Sequence, residues 1–243
     1  MLKPLGIALT ASTLLLSNLA FAGEHVFAQA SKGSFNDAAI TKLFEQQPEL
    51  SAAVTFAGTP INTFKQSIEH DALAFSAVEN STIDGRLVQA TVEAFQQYRL
   101  VEAKAFITTP IEMCVLMNHQ DVAKDTAITT IASHPAALKQ IDSWKNSFEP
   151  KELAIPEGTA AAAQKVANQE LPSGTAAIGA CVLSNVYTNL KVVEQGVQDN
   201  KNNKTSFLLM DVEPREEKIS EAQARKELTA AIKAGKKLAK AEQ

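Results

Sequence analysis

From residue 25 to residue 210 this chain alternates short apolar runs with longer stretches whose apolar residues recur every three or four positions. The short runs predict strands at 26–29, 52–56, 72–78, 100–108, 112–117, 129–132, 152–155, 176–178 and 207–210. The amphipathic stretches predict helices at 36–46, 59–68, 87–97, 135–146, 159–168 and 181–189. Strands joined by helical crossovers define an α/β protein. Residues 100–117, interrupted by Thr108, Thr109 and Pro110, exceed an ordinary strand of about five or six residues and read as a crossing between two lobes. The chain thus divides into a first α/β lobe at 23–107 and a second at 108–212, its last strand free to return to the first lobe. Two lobes imply a cleft. Beyond them, residues 213–243 are rich in Ala, Lys and Glu and carry a thin apolar stripe of Ile219, Ala222, Leu228, Ile232 and Leu238. This tail reads as one exposed helix, with docking as the alternative.

Composition adds export and removes several function classes. Of 243 residues, 45% are hydrophobic, enough for a sizeable core. Residues 1–22 join Lys3, an apolar stretch at 5–16 and a closing Ala20-Phe21-Ala22, the pattern of a secretory signal peptide cleaved before Gly23. The apolar stretch is shorter than the roughly 18 to 20 residues that span a bilayer, and Ser12, Thr13, Ser17 and Asn18 interrupt the region. The mature chain is therefore expected off the membrane and, in a Gram-negative cell, periplasmic. A net charge of -4, from 23 basic and 27 acidic side chains spread along the chain, provides no basic footprint for nucleic acid. Cys114 and Cys181 would enter an oxidising compartment, so a disulfide is permitted, although no spacing shows that they meet. Cys114, inside the apolar run 113–117, reads first as a small buried hydrophobe. His25, His70, His119 and His134 lack metal-ligand spacing, and no metal is expected.

Candidate chemistry gathers in five polar clusters at the ends of predicted elements: Gly33-Ser34-Phe35-Asn36, Glu79-Asn80-Ser81 with Gly85, Ser133-His134-Pro135, Gly158-Thr159, and Thr205-Ser206. Such turns expose free helix-start N–H groups to an anion, and in open α/β sheets they converge beyond the carboxyl ends of the strands. Each is equally the composition of a helix cap. The last cluster closes a loop rich in Asn and Lys, within 197–210, that enters an apolar strand without any proline.

In order, these clusters resemble the motifs of prephenate dehydratases across nearly the whole mature chain. Gly33-Ser34-Phe35-Asn36-Asp37-Ala38-Ala39 is similar to the family's Gly-Thr-Phe-Ser-x-x-Ala, and Ala77-Val78-Glu79-Asn80-Ser81 with Gly85 to its Pro-Ile-Glu-Asn-Ser and following glycine. Ser133-His134-Pro135-x-Ala137-Leu138-x-Gln140 is similar to its Ser-His-Pro-Gln-Ala-Leu-x-Gln, and Asn203-x-Thr205-x-Phe207 to its Thr-Arg-Phe region. The resemblance implies two α/β lobes like those of type II periplasmic binding proteins and the conversion of prephenate to phenylpyruvate, with loss of water and carbon dioxide and no cofactor. It implies Thr205, Asn80 and Gln140 as catalytic residues, Thr205 hydrogen-bonding the departing hydroxyl for roughly 10² to 10⁴ in rate. Substrate contacts are implied for Glu79, Ser81, Gly85, Ser133, His134, Thr159, Ala160, Ser206 and Phe207. The carboxylate prephenate is then the small-molecule partner, and dimers being common in the family, a homodimer is open.

Three positions depart from the family pattern. Ser206 stands where the family has arginine, Val88 where it usually has asparagine, and Met113 where it usually has histidine. Losing a bidentate guanidinium would cost a carboxylate ligand a few kcal/mol of binding, about a hundredfold or more. Arg86, Lys201 and Lys204 are the sequence candidates to compensate. The Lys-rich tail occupies the place of the regulatory ACT domain of feedback-inhibited members, which implies no inhibition by phenylalanine. The alternative to an enzyme is a two-lobed module that captures a small carboxylate without turnover.

Overall fold

A computed structural model describes residues 25–82 and 86–241. The expected signal peptide and Gly85 lie outside these residues. The first sheet is built from β1 (His25–Ala28), β2 (Ala53–Phe56), β3 (Leu73–Asn80), β4 (Tyr98–Pro110) and β10 (Lys204–Pro214), in the order β2-β1-β3-β10-β4. The second holds β5 (Met113–Asn118), β6 (Thr130–Ser133), β7 (Lys151–Ala154), β8 (Thr175–Ala180) and β9 (Leu190–Gln195), in the order β7-β6-β8-β5-β9. In each sheet three strands are parallel, and one antiparallel strand, β10 or β5, is inserted beside them. The chain crosses between sheets twice, at Ile111 and Glu112 and again at 196–203, so the last strand closes the first sheet. This is the two-lobed topology of the type II periplasmic-binding-protein fold.

Local chemistry explains the helices that flank the cleft. Helix α1 (Phe35–Gln46) is capped by Ser34, whose hydroxyl accepts from the Asp37 N–H, and α2 (Pro60–Glu69) by Thr59 with Pro60 in its first turn. Helix α3 (Gln89–Gln97) follows Val88, which provides no side-chain cap. In the second lobe lie α4 (His119–Ala123), α5 (Pro135–Leu138), α6 (Asp142–Lys145), α7 (Thr159–Ala167) and α8 (Leu183–Val186). The single helix expected at 135–146 is split into α5 and α6: the Gln140 N–H still donates to the Ala137 carbonyl, but its own carbonyl accepts from the Asp199 N–H of the second crossing instead of from the next helical turn. Strand β9 was not expected: its alternation is half solvent-facing, with Lys191, Glu194 and Gln195 outside.

The expectations for both the tail and Cys114 need correction. Cys114 is disulfide-bonded to Cys181, tying β5 to the end of β8. Helix α9 (Glu221–Ala241) is not a free exposed helix: Ala224, Leu228, Ala231, Ile232 and Gly235 are buried in one cluster with Phe95, Phe106, Leu208 and Met210. Arg215 secures the turn before it, its N–H donating to the Gln97 carbonyl and its guanidinium to the Phe95 and Tyr98 carbonyls and to Glu227. A Cβ at position 235 would lie 2.7 Å from a Leu208 methyl and 2.9 Å from the Phe106 ring, so glycine there lets the helix approach the sheet. Among the described residues no helix is long and apolar enough to cross a membrane.

Candidate active site

A cavity of about 740 Å³ lies between the lobes. Gln29, Asn36, Asn80, Thr82, Val88, Thr205 and Phe207 line it from the first lobe, and Met113, His134, Gln140, Glu157 and Thr159 from the second. In the β10–β3 register Thr205 sits opposite Asn80, so both side chains emerge on the same sheet face. Asn80 Nδ2 donates to Thr205 Oγ1 at 2.7 Å and to Asn203 Oδ1 at 3.0 Å. Asn203 Nδ2 donates in turn to Gln140 Oε1 at 3.1 Å. One hydrogen-bonded chain thus links the first lobe, the second crossing and the second lobe.

The donors along this chain are directed by their other partners. Asn80 Oδ1 accepts from the Thr82 N–H at 2.8 Å and the Thr82 hydroxyl at 2.6 Å, which turns the amide N–H groups toward Thr205 and Asn203. With Thr205 Oγ1 accepting, the threonine's own proton remains, and no protein acceptor among the described residues takes it. Thr205 is only 7% exposed, where a placed hydrogen bond is stronger than in water. Gln140 Nε2 donates to the Ala136 carbonyl at 2.9 Å, and its backbone carbonyl accepts the Asp199 N–H at 2.7 Å. Burial opposes ionisation of Asp199, but the N–H and hydroxyl of Ser143 and the Asp142 N–H outweigh it and hold the carboxyl below the ordinary carboxylate value. Asp199 therefore braces the turn that presents Gln140.

Anion-binding capacity comes from dipoles rather than from lysine or arginine, neither of which lines the cavity among the described residues. Gly158, at φ 127°, starts α7 without any side-chain cap, which leaves the first-turn N–H groups at Thr159 and Ala160 available. His134 Nδ1 accepts from the Ala136 N–H at 3.1 Å, so in the neutral ring the proton is on Nε2. Among the described residues no cluster of His, Cys, Asp or Glu is placed to hold a metal ion.

Several residues expected to touch substrate stand elsewhere. Ser206 points to the opposite face of β10, where its hydroxyl lies 2.9 Å from Thr108 Oγ1, and β10 begins at Lys204, so Thr205 and Ser206 are strand residues rather than the end of the loop before a strand at 207–210. Alternation of side chains along a strand enforces that separation. Glu79, opposite Ser206 in register, shares its face and meets Lys236 and Arg86. Ser81 ties its turn to the second crossing, donating to the Asn202 carbonyl at 3.2 Å and accepting the Lys204 N–H at 2.9 Å. Ser133 is fully buried and donates to the Ile178 carbonyl. Phe207 reaches the cavity but is also stacked on Phe75. None of Arg86, Lys201 and Lys204 lines the cavity, while Val88 and Met113 both do. Asn203 was missed as a bridging residue, although its place two positions before Thr205 puts it on the side facing Asn80. Asn36 Oδ1 is buried at the cavity without a partner among the described residues; the 33–36 cluster was among the candidate anion-binding turns, but Asn36 itself was not singled out as a ligand.

Fold and cleft define a two-lobed α/β protein with a cavity between its lobes. Residues 26–215 match the prephenate dehydratase family, and the chain belongs to it. It is 28% identical to a prephenate dehydratase of Methanocaldococcus jannaschii over 74% of this chain and 61% of that protein. With a prephenate dehydratase of Amycolatopsis methanolica the identity is 34%, over 73% of this chain and 55% of that one. The chain thus spans little more than half the length of these relatives. The solved structure of prephenate dehydratase from Arthrobacter aurescens in complex with L-Phe superposes with a TM-score of 0.62 at 19% identity, covering 79% of this chain and 60% of the other, and shows the same fold.

Proposed function

We propose that the cleft catalyses the decarboxylative dehydration of prephenate to phenylpyruvate. The observation that carries this reading is the Thr205–Asn80–Asn203–Gln140 chain, with Thr205 lining the cavity and its hydroxyl donating to no acceptor among the described residues. In the reaction the ring carboxylate leaves as carbon dioxide and its bonding pair aromatises the ring. The ring hydroxyl departs with its own bonding pair and becomes water on gaining one proton. Thr205 stabilises the charge developing on that oxygen by a placed hydrogen bond, so geometry matters more than acidity. The neutral amide of Asn80, both N–H groups engaged, orients Thr205 and Asn203, the second N–H of Gln140 Nε2 is left for a substrate oxygen, and the start of α7 with His134 Nε2 holds a carboxylate.

The chain is further proposed to act outside the cytoplasm, periplasmic in a Gram-negative cell. Residues 1–22 have signal-peptide character, and the Cys114–Cys181 disulfide suits an oxidising compartment. Mass spectrometry of protein from cell fractions should find a chain beginning at Gly23 outside the cytoplasm; an uncleaved cytoplasmic chain would contradict export. The second reading, carboxylate capture without turnover, draws on the absence of lysine and arginine from the described cavity lining. Incubation with prephenate distinguishes the two. The enzyme reading expects phenylpyruvate to accumulate above the spontaneous rate, whereas prephenate-binding heat without product would leave only capture.

A further inference from the structure

We infer that Lys236 of α9, a helix beyond the family-matched residues, is a positioning residue for Asn80, acting through Glu79. The inference rests on the enzymatic reading above. Glu79 immediately precedes Asn80 in β3 and projects to the opposite face of the sheet, where its carboxylate is only 15% exposed and faces Ser206 in the β10 register. A carboxylate so placed requires a cation. Position 206, the arginine of the family motif, provides only a hydroxyl that is engaged with Thr108. The cation arrives instead from α9: Lys236 Nζ lies 2.8 Å from Glu79 Oε2 and 3.2 Å from Oε1, spanning both oxygens. Arg86, at 3.8 Å, is a looser second partner.

The route by which Lys236 reaches Glu79 is built into the packing. Gly235, whose missing side chain allows contact with Leu208 and Phe106, brings the helix onto the sheet one residue before Lys236, and the ammonium passes 5.8 Å from the centre of the Phe106 ring. From Glu79 the influence runs along the backbone. The Asn80 N–H donates to the Arg86 carbonyl at 2.8 Å, Glu79 bridges Leu87, and the Asn80 amide holds Thr205. An unpaired carboxylate would pull β3 toward solvent at the residue adjoining the reaction centre. Lys236 thus takes over, from outside the sheet, the charge that an arginine at 206 would present within it.

The test compares wild type, Lys236→Met, the double variant Lys236→Met/Ser206→Arg, and Lys233→Met as a neighbouring-lysine control. Melting temperature, kcat and KM for prephenate, and the side-chain NH₂ resonances of Asn80, assigned through Asn80→Ala, are measured. Lys236→Met is expected to lower kcat roughly ten- to a hundredfold, the scale of a small misplacement, with KM within about twofold. The double variant is expected to recover most of that loss, and Lys233→Met to lose nothing. A folded Lys236→Met with wild-type kcat, a double variant that recovers nothing, or an equal loss in Lys233→Met each overturns the inference. If wild type lacks turnover, the proposed activity fails, and the inference is judged on Asn80 alone: its resonances must move in Lys236→Met and return in the double variant, and failure to do so sinks it.

Discussion

At the residue scale, Asn80 and Gln140 sit at opposite ends of a hydrogen-bonded chain and should differ in their effects. Asn80→Ala removes the donor that orients Thr205, so kcat for prephenate should drop by roughly 10²-fold or more, with little change in melting temperature. Gln140→Ala breaks the link between the lobes at Asn203 and should raise KM more than it lowers kcat. Equal effects from the two substitutions would contradict the separation of roles. Asp199 adds a pH dependence. Its folded pKa is depressed, so its stabilisation is present above the unfolded value near 3.8 and is lost as pH falls through the lower folded value. Acid titration of the melting temperature should show a loss below about pH 3.8 that Asp199→Asn reduces; identical profiles would exclude the brace. Motif residues such as Asn80, Gln140 and Thr205 were legible because short ordered patterns carried them. Ser206 and Glu79 were misplaced because a motif string does not say which face of a strand each residue takes, which the two-residue period and the β10–β3 register decide. Ser81 and Ser133 likewise turned out to bind backbone carbonyls rather than to face the cavity.

At the element scale, the strands are the legible part, since buried central strands read as continuous apolar runs. Four elements escaped for separate reasons: α4 has only five residues, too few for a helical period to show, β9 is half exposed, α8 is a single turn where a longer helix was expected, and the helix at 135–146 is interrupted where the Gln140 carbonyl accepts from Asp199. The tail escaped in another way. Its apolar stripe is thin because alanine and glycine pack where larger side chains would not fit. That packing sets its energetic weight. Leu228→Ala should cost about 2 to 5 kcal/mol of unfolding free energy, typical of a buried leucine, whereas Lys226→Ala on the exposed side should remain within about 0.5 kcal/mol. Equal, negligible costs in chemical denaturation would mean that α9 does not dock.

At the scale of the whole molecule, two sheets share one chain that crosses twice, so the cleft is formed between residues distant in sequence: Asn80 and Thr205 are 125 positions apart. The long segment containing Pro110 marked the first crossing. The Asn- and Lys-rich loop that carries the second was legible only through the motif that includes Asn203, because the roles of Asn203, as a bridge, and Gln198, accepting from the Met113 N–H, exist only once the lobes meet. The cysteine pair was equally invisible, since nothing in its separation of 67 residues says that β5 lies beside β8. Closing a loop of that size constrains the unfolded chain, and Cys114→Ala/Cys181→Ala should lower stability by about 2 to 5 kcal/mol. A double variant as stable as wild type in denaturant titration would show that the bond adds nothing.

The central claim is that this cleft turns over prephenate through the hydroxyl of Thr205, and kcat for Thr205→Ala beside wild type tests it most directly. With the fold retained by circular dichroism, the account predicts a fall in phenylpyruvate formation of about 10² to 10⁴. A folded Thr205→Ala chain that forms phenylpyruvate at the wild-type rate would contradict it.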